Sequence, residues 1–104
     1  MQIKIDGRHF KVTEDIKRTI EEGAAKFEKF MHNIIEAHFI LSIEKYRHTA
    51  EIIIFAKHIV LKCKEETDNM QISVENALHN MMRQLKQHKE KVKTHHLKQS
   101  QKIQ

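Results

Sequence analysis

The sequence predicts a small α+β fold of order β-α-β-β-β-α, a mixed four-stranded sheet with two helices packed on one face. Three observations lead there. Apolar residues alternate with period two in four separate short stretches. Apolar residues recur at three- and four-residue spacing in two longer ones. The chain has 104 residues, enough for one core and no more.

The first strand is 2–6, with Ile3 and Ile5 on one side, and Gly7 is expected to break it. Phe10 and Val12 resume the alternation. Thr13 is a good helix N-cap, followed by Glu14 and Asp15, acids that suit the positive end of the helix dipole. Ile16, Ile20, Phe27 and Met31 then mark one face of a helix over 14–31, with Ala24 filling it and Gly23 read as permitting close packing on the sheet. Residues 37–44 alternate as a second strand, 45–49 are turn-like, and 50–56 form a β-branched run that is apolar on both faces and therefore interior. Lys57-His58 turns the chain into a fourth strand over 59–64.

Asp68 or Asn69 caps the second helix. Val74, Leu78, Met81, Leu85, His88 and Val92 recur at alternating spacings of four and three, which gives a helix over 70–93. Residues 94–104 have little apolar content and no period, and are expected to be a flexible basic tail after a folded unit of 1–93. A strand–helix–strand start favours a parallel first pair, and the later strands pair as hairpins.

Composition excludes several classes. Apolar residues are 39% and charged residues 32%, compatible with a folded domain. No run nears the ~18 apolar residues of a membrane span, and the first ten residues lack the apolar core of a signal peptide. Cys63 is the only cysteine, so no intrachain disulfide forms, and a cytoplasmic location is the simplest expectation. Its alternation with Lys62 and Lys64 makes it a small core residue and not a nucleophile. Phosphate-loop, dinucleotide and zinc-protease motifs are absent, and Ser42, Ser73 and Ser100 lack a nucleophile-elbow context. Neither catalytic residues, nor a metal site, nor a cofactor, nor a small-molecule substrate is expected; His95-His96 are adjacent rather than spaced as ligand pairs.

The charge is unevenly placed. Residues 1–78 hold 12 Lys+Arg against 13 Asp+Glu, a net of −1, whereas residues 79–104 hold 7 against 1, a net of +6. Viewed down the second helix with Leu85 at zero, Lys89 falls at about 40°, Lys93 at about 80°, Lys86 at about 100°, His79 at about 120° and Arg83 at about 160°. Glu90 is the one acid in that row. An ordinary solvated face would intersperse acids to make i,i+4 pairs. The first helix does so, mixing Arg18, Lys26 and Lys29 with Glu22 and Glu28. The row on the second helix therefore reads as a phosphate-binding surface. Aromatic residues are 6% with no Trp, which disfavours a stacking platform for single strands. Recognition of folded RNA by shape and phosphate fits better.

Several segments together resemble the short ribosome hibernation-promoting factors and ribosome-associated inhibitors. They are Ile3-x-Ile5-x-Gly7, Val12-Thr13-Glu14, the hairpin Glu44-Lys45-Tyr46-Arg47-His48-Thr49-Ala50, Asn69-Met70, and Arg83-Gln84-Leu85-Lys86-Gln87-His88-Lys89-Glu90-Lys91-Val92-Lys93. The resemblance spans about residues 1–93. It implies a noncatalytic factor that binds the small ribosomal subunit and its rRNA in the mRNA/tRNA channel and silences idle ribosomes. It carries the RNA contacts to Arg83, Lys86, Lys89 and Lys93, with Lys26 and Lys29 as weaker members and His79 joining the row. The chain departs from the family in having Asn69 before the Met, Lys57-His58 in place of a hairpin glycine, and no acid in its tail. That tail is similar to the type that permits ribosome pairing by a separate small dimerising factor. Two other readings compete: a generic structured-RNA-binding domain, and a protein-interaction module that dimerises through an open sheet face bearing Ile40, Ile53 and Phe55.

Overall fold

The computed structural model describes the backbone of residues 1–103 and the side chains of residues 1–89. The elements are β1 (Gln2–Arg8), α1 (Glu14–Phe30), β2 (Ile34–Glu44), β3 (Arg47–Ala56), β4 (Ile59–Thr67) and α2 (Met70–Ile103). The sheet order is β1-β2-β3-β4, with β1 parallel to β2 and the other neighbours antiparallel. This is the predicted fold, with β3 interior.

Both helices cover one face of the sheet. From α1 come Ile16, Ile20, Ala24 and Phe27, and from α2 come Met70, Val74, Ala77, Met81 and Leu85. They close over Ala37, Phe39 and Leu41 of β2, Ala50, Ile52 and Ile54 of β3, and Cys63 of β4. Burial of these side chains, each worth about 1.5–3 kcal/mol for the larger ones, is what holds the layers together. Thr13 caps α1 through its Oγ1, which accepts from the Ile16 N–H at 3.2 Å. Asn69, not Asp68, caps α2: its Oδ1 accepts from the Ile72 N–H at 3.1 Å.

Four expectations are corrected. Gly7 does not end β1, which runs on to Arg8 with Gly7 opposite Leu41. A Cβ there would lie 2.2 Å from the Phe10 carbonyl oxygen, so this glycine serves the close return of the chain after the strand. Gly23 faces the other helix and not the sheet: a Cβ would meet Leu78 Cδ2 at 2.4 Å. The strands are longer than their apolar runs. β3 starts at Arg47 and β4 continues to Thr67 because ladder pairing extends into polar residues beyond the apolar runs, whereas β2 starts at buried Ile34, where a register irregularity between Ile34 and Glu36 interrupts the alternation. Finally, the helical backbone of α2 continues to Ile103 instead of ending near 93. No Pro or Gly interrupts residues 70–103, and Lys, Gln and Leu favour helix after the apolar period stops.

The outer face of the sheet is mixed. Ile40 and Ile53 are half-buried, and Phe55 is exposed beside Val60, its partner on β4. Glu51 and Lys64 pair in register on the same side, and His38 Nε2 lies 2.6 Å from Asp6 Oδ2.

Candidate nucleic-acid interface

The azimuth of α2 is set by its apolar stripe, and its two flanks therefore face different neighbours. On one flank, Gln84 Nε2 donates to the Lys62 carbonyl at 2.9 Å and to Asn80 Oδ1 at 3.2 Å, while Asn80 Nδ2 reaches Glu65 at 3.5 Å. That flank is turned to β4. The opposite flank is turned to α1, where Leu78 closes on Gly23. The absence of a side chain at Gly23 lets the two helices approach, as the small residue at a helix crossing does generally.

The predicted cations lie on this second flank and its outer rim. Arg83, Lys86, Lys89 and His79 are exposed, as are Lys26 and Lys29 on α1. Lys26 and His79 line a cleft of about 330 Å³ between the helices, floored by Gly23, Phe27, Leu78 and Met82 and flanked by Glu22 and Glu75. Lys86 and Lys89 converge on the ring of Phe30, at 5.5 and 5.6 Å from Nζ to the centroid. Lys29 sits in the last turn of α1, one residue before Phe30. The side chain of Lys93 lies outside the described residues. Among the described residues, the ion pairs are Met1–Glu28, Asp15–Arg18, Asp6–His38 and Glu44–Arg47, so none takes a cation from α2.

Sequence reasoning missed Phe30, which is 36% exposed. It falls about 60° from the Phe27 position around α1, at the edge of the buried stripe. Its adjacency to that stripe was the available signal; that it meets two lysines of the other helix is not a local property.

Among the described residues, Cys63 does not have the form of a nucleophile. Cys63 is 7% exposed, its Sγ donates to the Ala77 carbonyl at 3.3 Å, and burial pushes its thiol up to about 11, so it stays protonated. No group of three His, Cys, Asp or Glu side chains gathers among the described residues. Among them too, no helix is long and apolar enough to cross a membrane. What this surface can do is hold phosphates: it presents exposed ammonium and guanidinium groups on one helix, and among the described residues Arg83, Lys86 and Lys89 enter no ion pair.

The family described as Sigma 54 modulation protein / S30EA ribosomal protein matches residues 3–93. The chain is similar to the ribosome hibernation promoting factor of Escherichia coli K12, 26% identical over 95 residues that make up 91% of this chain and all of that protein. It is 28% identical over 91 residues to the factor of the same name from Pseudomonas putida, covering 88% of this chain and 89% of the relative. Among solved structures, a ribosomal subunit interface protein from Coxiella burnetii superposes with TM-score 0.79 at 19% identity, covering 86% of this chain and 98% of that one. The N-terminal domain of Thermus thermophilus Protein Y superposes with TM-score 0.76 at 23% identity, covering 84% and 98%. These two structural likenesses establish the shared fold.

Proposed function

The chain belongs to the Sigma 54 modulation protein / S30EA ribosomal protein family, which is non-catalytic, and on that premise we propose that it is a ribosome hibernation factor. Its partner is the small ribosomal subunit, bound through rRNA in the channel used by mRNA and tRNA. Occupation of that channel excludes mRNA and initiator tRNA and silences idle ribosomes. Residues 1–93 are the binding unit, and the factor works in the cytoplasm, where ribosomes are.

The observation that carries this reading is the cationic flank of α2. The fold uses the amides of the opposite flank for its own hydrogen bonds, yet no described ion pair uses Arg83, Lys86 or Lys89. A cationic surface with no ion pair among the described residues is suited to a polyanion outside the fold. The acid-free tail supports a further step, in which ribosomes held by this chain pair through a separate small dimerising factor.

Cosedimentation of the chain with small subunits at several salt concentrations tests the electrostatic core of the proposal. Neutralising about four to six phosphates gives a log–log slope of roughly −3 to −5, on the order of a hundredfold loss of affinity between 50 and 200 mM salt. An affinity that ignores salt sinks it.

A further inference from the structure

Lys86 and Lys89 stand on one helix, three residues apart, with no acid shown between them, and both ammonium groups are drawn to the same ring. That ring belongs to the other helix: Phe30 is the last residue of α1. It is too exposed, at 36%, to be explained as core. Aromatic rings carry negative potential on their faces, and a lysine ammonium within about 6 Å of the centroid is attracted to it. One Phe thus offsets the mutual repulsion of two like charges and restricts two side chains that would otherwise sample many rotamers.

We propose that Phe30 is a positioning residue for RNA binding, gathering Lys86 and Lys89 into one two-pronged site for backbone phosphate. Each ammonium has three N–H donors. A ring contact leaves donors on the side away from the ring free to reach phosphate oxygens, so ring and phosphate are held together and not in competition. The lysines reach the RNA already ordered, and less side-chain entropy is lost on binding. Because the ring comes from α1 and the cations from α2, the site also depends on the close helix approach at Gly23 and Leu78. This inference rests on the ribosome-binding reading above for its ligand, but not for its lysine–ring geometry.

The test uses the full chain with Phe30→Leu, which keeps apolar bulk and removes the ring, and Phe30→Trp, which keeps a stronger one. Phe30→Leu should weaken binding to small subunits about three- to tenfold while leaving the salt slope unchanged, since no cation is lost. Phe30→Trp should bind at least as well as the unaltered chain. In a Lys86→Gln, Lys89→Gln background the slope should fall by about two, and Phe30→Leu should then have no further effect. Equal affinity of Phe30→Leu and the unaltered chain overturns the inference. So does an undiminished effect of Phe30→Leu in the double-Gln background, which makes the ring a contact in its own right. Proton NMR of the free chain separates this from the wider reading: the ε-methylene protons of Lys86 and Lys89 should be shifted upfield by the ring and return on Phe30→Leu. Absence of that shift overturns the positioning role even if ribosomes bind; its presence without ribosome binding sinks the functional reading alone.

Discussion

On the β4 side of α2, Asn80 and Gln84 are tied down by hydrogen bonds to Glu65, to the Lys62 carbonyl and to each other. On the α1 side, His79, Arg83, Lys86 and Lys89 point outward, and their described contacts are a cleft wall and an aromatic ring. The two flanks belong to one helix, but one carries neutral amides and the other cations. The amides are short enough in reach and neutral, so they can close on the sheet edge without leaving a charge to be desolvated. Among the described residues, no carboxylate pairs with Arg83, Lys86 or Lys89, and these cations stay in water. On the function proposed above, one flank serves stability and the other polyanion binding, and mutations should separate the two.

The largest separation should come from charge reversal. Arg83→Glu with Lys86→Glu changes the surface charge by about four units at the centre of the row, and should lower ribosome affinity by at least about a hundredfold. Both residues are exposed, so circular dichroism should remain that of the folded chain. A cell-free translation reaction titrated with this variant should show no inhibition; inhibition equal to that of the unaltered chain would place the binding surface elsewhere.

Next in size is the seam that holds the cationic flank against α1. Gly23→Ala puts a methyl group 2.4 Å from Leu78 Cδ2. The opposing atoms belong to a side-chain tip that can rotate, so the expected cost is about 1–3 kcal/mol, read from a chemical-denaturation curve. A Leu78→Ala partner change makes room and should recover part of the Gly23→Ala strain. No recovery would show that the helices part for another reason.

A mirror-image result is expected from the amide flank. Asn80→Ala with Gln84→Ala removes partly exposed hydrogen bonds to β4, costing about 0.5–1.5 kcal/mol of stability, and should leave ribosome affinity within about twofold. A large loss of affinity would mean that this flank also touches RNA.

The smallest effect lies away from α2, on the outer face of the sheet. The hydrogen bond from His38 is the main cause that holds the Asp6 carboxyl below its ordinary value near 3.8. A carboxylate lowered in the folded state stabilises it above the unfolded value, and that contribution fades as pH falls through the folded value. The stability difference between the unaltered chain and Asp6→Asn should therefore be present at pH 6 and close below about pH 4. Urea midpoints across that range check it; a difference that stays constant to pH 3 removes the pair from the account.

The turn after β3 connects the sequence departures to the backbone. In that turn His58 adopts a φ of 109°, a region that side chains rarely enter. Lys57 N–H donates to the Asn33 carbonyl at 3.3 Å and holds the turn against the loop after α1. The sequence places a turn at Lys57-His58, but only the backbone shows that His58 adopts a conformation that glycine usually takes.

Element types, their order and their buried faces were determined by the sequence alone. Period two and period 3.6 report which side of an element avoids water, so Ile52 and Ile54, or Val74, Met81 and Leu85, could be placed inward without coordinates. The charge row on α2 was legible for the same reason, since an angle around a helix axis is a local quantity. Periodicity does not say which neighbour occupies each side. That Gly23 meets Leu78, that Gln84 faces β4 and that Phe30 collects Lys86 and Lys89 were decided by the packing of α1 beside α2. Such contacts join residues tens of positions apart, and only the closed core brings them within a few ångströms.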